Sequence, residues 1–154
     1  MSQAALFLSL GAAFLMPGLS ARIYSPNTPM NKSLWIKIIA LSGAISVALG
    51  AFAAHGLADS LSVKALATFR TAVLYQFLHT IALLGLMSLP DQLMDTGRQQ
   101  LAAKSWLLGI LLFSGSLYTL VFTGITALGM ITPVGGLAFI VGWLLLFTGV
   151  KRSD

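Results

Sequence analysis

Few residues in this chain can do chemistry, and the central one is His79. It stands near the middle of an apolar run, where an ionisable group is costly and often functional. Tyr75 and Gln76 precede it by four and three residues, which on a helix puts all three on one face. An imidazole beside a hydroxyl and an amide can relay protons or hold a polar ligand. The plainer use is a neutral ring bonded to a neighbouring helix, holding a bundle in register. That use is preferred, because the run contains no carboxylate to complete a relay.

Ser114, Ser116 and Tyr118 are the next candidates, since a serine nucleophile with His79 as its base would make an intramembrane hydrolase. Small hydroxyl residues in membrane helices more often bond back to their own turn, so no catalytic residue is assigned and a non-enzyme is expected. His55 comes just before Gly56, a residue type that commonly ends helices, and four residues before Asp59. This trio reads as a helix-end motif, with His55 bonding to loop backbone or pairing with Asp59. A metal held by both histidines would bring the end of one helix to the middle of another. With no cysteine and a single nearby acid, no metal site and no cofactor are expected. Nothing resembles a phosphate loop or a dinucleotide fingerprint.

The elements that position these residues are dictated by the solvent. The chain has 154 residues, 57% of them apolar and only 8% charged, and its mean hydropathy is +0.91. Soluble domains carry charge at roughly a quarter of positions, so this surface belongs in lipid. A helix needs about 20 apolar residues to cross a bilayer, which leaves room for four or five crossings and no separate soluble domain. The net charge of +5 comes from basic residues flanking apolar runs, a pattern of membrane orientation rather than nucleic-acid binding.

Four crossings are predicted, at about 34–54, 71–89, 105–122 and 130–150. On the first, Ser42, Ser46, Gly50 and Ala54 recur every four residues and suit close helix contact. Residues 59–70 read as an interfacial helix lying on the membrane, and 91–104 as a hydrophilic connection. Trp106 is expected to anchor the third crossing at the interface. Gly135, Gly142 and Gly149 form a seam at seven-residue intervals on the fourth. Thr132-Pro133 before Gly135-Gly136 suggests a bent or broken start to that helix.

The first 29 residues form an N-terminal extension, and residues 30–154 the membrane domain. Ala4 to Met16 make a short apolar run ended by Pro17-Gly18, with no basic residue before it and no Ala-x-Ala after it. Whether it crosses the membrane stays open. Met30 directly precedes Asn-Lys-Ser-Leu-Trp and reads as an alternative translation start. Arg22, Lys32, Lys37, Arg98, Lys104, Lys151 and Arg152 fall on one side of the four crossings, and Lys64 and Arg70 on the other. Seven against two predicts that both ends of the core are cytoplasmic.

Four motifs then come in a familiar order: Ala51-Phe52-Ala53-Ala54-His55-Gly56-Leu57, Tyr75-Gln76-Phe77-Leu78-His79, Leu112-Phe113-Ser114-Gly115-Ser116-Leu117-Tyr118 and Ile131-Thr132-Pro133-Val134-Gly135-Gly136. In these the chain resembles the YgdD-like inner-membrane proteins, domain-of-unknown-function family 423, which is similar to eukaryotic transmembrane protein 256. The resemblance spans about Met30 to Val150. One departure is Ala53, where the family usually has glycine, and a looser helix contact is expected there. The resemblance implies a small multi-pass membrane protein and no reaction. The expected fold is all-α, with four membrane helices and the open N-terminal segment. The expected role is that of a non-enzymatic accessory protein of the bacterial inner membrane, associating with lipid, with another membrane protein or with itself. A small transporter or channel lined by the His79 face is the alternative, and an intramembrane hydrolase a distant third.

Overall fold

The computed structural model describes residues 30–151; the run at 4–16, the rest of the extension before Met30, and Arg152 lie outside them. Within that range the chain is an all-α membrane bundle. Helix α1 spans Lys32–His55 and α2 spans Val63–Ser88. A third rod joins α3 (Thr96–Gly109), a π turn (Ile110–Ser114) and α4 (Gly115–Thr123) without a break. A 3-10 turn at Thr126–Met130 leads to α5 (Thr132–Gly149). Four helical spans are long and apolar enough to cross a membrane, at Lys32–His55, Val63–Ser88, Thr96–Thr123 and Thr126–Gly149. At about 1.5 Å per residue, each exceeds a hydrocarbon core of roughly 30 Å.

Local sequence explains where the helices begin and end. Asn31, Ser62 and Asp95 accept from the backbone N–H of Leu34, Ala65 and Arg98 at 3.0, 3.2 and 2.9 Å, satisfying first-turn donors that lipid cannot. Gly124 closes α4 in the left-handed region at φ 70°, its N–H reaching the Leu120 carbonyl at 2.9 Å.

Several boundaries differ from the expectation. Residues 59–70 do not form a separate interfacial helix: Ser62 starts α2, and 63–70 are its first turns. Phe69, fully buried, packs with Ala53 and Leu57 and carries the helix straight into the bundle. The hydrophilic stretch 96–104 is helical as well, because Asp95 caps α3 there. Trp106 therefore lies three turns inside, 1% exposed, and is no interfacial anchor. Pro133 sits in the first turn of α5, where its missing N–H costs nothing, so the helix starts there without a break.

The packing order is α1 on α2, α2 on the π turn and α4, and α3 with the π turn on α5. The end of the bundle holding the start of α1 is tied by several contacts. Lys32 pairs with Asp91 at 3.0 Å. The Asp95 N–H reaches the Gly149 carbonyl and the Lys151 N–H the Leu93 carbonyl, each at 2.9 Å. Arg98 Nη1 donates to the Thr148 carbonyl at 2.6 Å. The bonds from Asp95 and Arg98 satisfy the carbonyls of Gly149 and Thr148, two of the last in α5, which a helix cannot satisfy itself.

Candidate functional site

The chemistry-bearing residues divide into two centres on adjoining faces of α2. Gln76 and Thr80 turn toward α1 and α4. Tyr75 and His79 turn toward the π turn and α5. The single face expected for Tyr75, Gln76 and His79 is thus split, because Gln76 lies about 100° around the helix from Tyr75.

The first centre is closed. Tyr118 Oη donates to Gln76 Oε1 at 2.9 Å, and Gln76 Nε2 donates to the Ser42 carbonyl at 3.1 Å. Thr80 gives its one hydroxyl proton to the Gln76 carbonyl at 2.7 Å. The 2.7 Å contact between Ser42 Oγ and Thr80 Oγ1 must therefore have Ser42 as donor. Three spans are linked and every donor is used. Gln76 is 4% exposed, so the amide is a structural tie in a low-dielectric interior.

The second centre surrounds His79. Its Nδ1 lies 2.9 Å from the Tyr75 carbonyl, which can only accept, so Nδ1 carries the proton. Nε2 is then the acceptor, and Trp143 Nε1 donates to it at 3.4 Å. The ring stacks on Phe139, centroids 3.5 Å apart and planes 13° off parallel. Trp106 and Trp143 meet it edge-on. Tyr75 stacks on Phe113 at 4.5 Å, and Trp106 Nε1 donates to the Phe139 carbonyl at 3.2 Å.

Glycines make room for these rings. A Cβ on Gly109 would run into the Phe139 ring, one on Gly142 into the Trp106 indole, and one on Gly135 into the Phe113 backbone. Gly149 packs against Met94 and Arg98. The seven-residue seam of α5 thus sets its glycines against large side chains or backbone of the antiparallel third rod and, at Gly149, also against Met94 just ahead of it. Beside the rings runs an open groove of about 550 Å³, lined among others by Tyr75, His79, Phe113, Pro133 and Trp143. Tyr75 and Trp143 are exposed on it, and the Tyr75 hydroxyl makes no hydrogen bond among the described residues.

The other candidates are placed as follows. Ser116 Oγ donates to the Phe113 carbonyl at 3.0 Å and lies 2.8 Å from Thr132 Oγ1. Ser114 Oγ is buried without a partner. Neither serine bonds to His79, whose nitrogens are both engaged elsewhere. On α1, Ser42 and Ser46 are buried and Gly50 half-buried, but Ala54 is exposed and Ala53 takes its place at 2% exposure. A strict four-residue stripe drifts about 40° per step around a helix, so by the fourth member it has left the contact. His55 is exposed and forms no ion pair with Asp59. Gly56 adopts φ −93°, not the left-handed conformation expected of a terminating glycine. Gly43 lies level with Thr80, so His55 is about 18 Å further along α1 than His79's level. Among the described residues no three His, Cys, Asp or Glu gather as a metal site.

Gln99 is a further site residue, within the stretch expected to be a hydrophilic connection, yet it is 1% exposed and donates to the Leu86 carbonyl at 2.7 Å. The available signal is Asp95 itself, a preferred N-cap residue type directly ahead of 96–104.

Residues 49–136 match the family described as a protein of unknown function, DUF423. The chain belongs to the DUF423 family. A UPF0382 membrane protein of Haemophilus influenzae is 47% identical to this DUF423 chain over 122 residues, covering 79% of the chain and 97% of the relative. The UPF0382 membrane protein YwdK of Bacillus subtilis is 41% identical, covering 77% and 97%. The UPF0382 inner membrane protein YgdD of Escherichia coli is 36% identical, covering 80% and 93%. No solved structure matches the chain.

Proposed function

We propose that this chain is a non-enzymatic accessory protein of the bacterial inner membrane, engaging another membrane-embedded protein or a second copy through the groove at His79. The observation that carries this reading is the groove's exposed aromatic wall with an unpartnered Tyr75 hydroxyl. In lipid an unpaired hydroxyl favours a partner that brings an acceptor or donor. Supporting the non-enzymatic part, both nitrogens of His79 are engaged, and no nucleophile–base pair is assembled among the described residues. We orient the core with both ends cytoplasmic. Lys32, Lys37, Arg98, Lys104 and Lys151 at one end, against Lys64 and Arg70 at the other, support that orientation.

The test is native mass spectrometry of the protein released gently from its own membrane, in wild type and in Trp143→Ala with Tyr75→Phe. A bound protein partner or a second copy, lost in the double variant while the monomer stays folded, is the expected result. A solute or proton flux in liposomes that vanishes in His79→Ala with folding intact would replace this reading with a transporter. Because the chain has no cysteine, single cysteines introduced near Asp59 and near Asp91 report orientation without background. Labelling from the cytoplasmic side at Asp59 would reverse it.

A further inference from the structure

A second groove lies on the other side of the molecule, between α1 and α2. Its volume is about 330 Å³, and its floor is made of small α1 residues, Ser46, Gly50 and Ala53. Val73 and Phe77 of α2 form the facing wall, and Arg70 lines it as well. Since Ala53 is near the end of α1 and Arg70 is two turns into α2, the guanidinium belongs at the end of the groove nearest the membrane surface. From Ala53 back to Ser46 the floor runs about 10 Å toward the bilayer centre. The slot is therefore apolar along its length and cationic at its mouth.

Arg70 makes no ion pair and no side-chain hydrogen bond among the described residues, whose sole ion pair is Lys32–Asp91 at the opposite end. An arginine in a membrane helix sends its head toward the interface and needs an acceptor there. A phosphate diester suits its planar fork, giving two parallel charge-assisted bonds. Near that mouth, Lys64 and Arg70 outnumber the one acid, Asp59, so a net negative headgroup is favoured over a zwitterionic one. The small-residue floor explains why the slot exists: larger side chains at Gly50 or Ala53 would fill it.

We propose that the α1–α2 groove is a binding site for an anionic phospholipid, with an acyl chain along Gly50 and the phosphate on Arg70. This site is separate from the His79 groove and stands independently of the role assigned there. Charge complementarity and a chain-shaped slot ending at the charge commit it to a lipid rather than to a protein helix.

The experiment uses the full chain, delipidated in detergent and titrated with phosphatidylglycerol or with phosphatidylcholine of the same chains, read by native mass spectrometry. One phosphatidylglycerol should be retained roughly tenfold more strongly than phosphatidylcholine, whose choline cation offsets the phosphate charge that both lipids present to Arg70 and Lys64. Arg70→Gln should abolish that preference, and Arg70→Lys should restore part of it. Val47→Trp, at the exposed rim of the slot, should reduce retention of both lipids without touching the charge. Lys37→Gln, at the opposite end, should change nothing. Equal retention of the two lipids by wild type, or an unchanged preference in Arg70→Gln, would reduce the slot to ordinary annular contact and overturn the site. Should Arg70→Gln fail to fold, Val47→Trp decides: undiminished retention there rejects the groove.

Discussion

The two sides of this bundle are held together by different physics. Between α1 and α2 the buried contacts include hydroxyls and an amide: Ser42, Gln76 and Thr80, extended to Tyr118 on α4. Between α3 and α5 they are glycines against aromatic rings, with one indole-to-carbonyl bond. Helices in lipid gain nothing from hydrophobicity against each other, so either close packing or hydrogen bonding must supply the attraction. The polar side tolerates local change, because its groups can find other partners. The glycine side cannot, because its tightest point is backbone against backbone.

The largest effect should therefore come from Gly135→Ala. The added methyl meets the Phe113 backbone, which has no rotamer to escape into, and the variant should lose about 3 kcal/mol, read by unfolding in mixed micelles. Its neighbour sharpens the point: a methyl on Gly136 reaches only the Phe113 ring edge at 3.8 Å, so Gly136→Ala should stay within about 0.5 kcal/mol of wild type. If the two behaved alike, the backbone contact would not be what holds α5.

On the polar side, Gln76→Leu should cost about 1–2 kcal/mol, since it leaves the Tyr118 hydroxyl unpaired and strips the Ser42 carbonyl of its second, interhelical bond. A double-mutant cycle with Tyr118→Phe should return a coupling of about 0.6 kcal/mol. A coupling near zero would mean the two groups re-pair independently. The smallest change is expected of Trp143→Phe, which removes one long bond to His79 and should shift stability by a few tenths of a kcal/mol, about the value of a weak hydrogen bond. A larger loss would show that His79 depends on that indole for its position.

Much of this was readable in advance, and the exceptions share a cause. The four spans follow from composition alone, because lipid demands helices of a given length. The glycine spacing on α5 follows from its period, and seven residues return nearly to the same face of a helix. Ala54 was misplaced because a period of four does not. Trp106 and Gln99 depart from expectation for one reason: polarity at 91–104 reads as a connection, although Asp95 can start a helix there and the polar side chains of Arg98 and Gln99 are spent on α5 and α2. The side of α2 that each group around His79 faces depends on neighbours that no local pattern identifies. Nothing in Ile110-Leu-Leu-Phe-Ser114 announces a π turn.

That turn has a further consequence. A π turn fits one more residue into a helical circuit than an α turn does, so every side chain after Ser114 is rotated by about 100° relative to an uninterrupted helix. Before it, α3 leans on α5; after it, α4 leans on α2. The third rod is thus one cylinder carrying two messages in different reading phases, and their boundary is a single amino acid wide. Winding the same residues as plain α-helix would keep the rod straight and hydrophobic while turning Tyr118 away from Gln76 and Ser116 away from Thr132, whereas removing one codon between 110 and 114 would take out the extra residue and leave both contacts in phase. The bundle's connectivity is set in part by counting, independent of which apolar residues are counted.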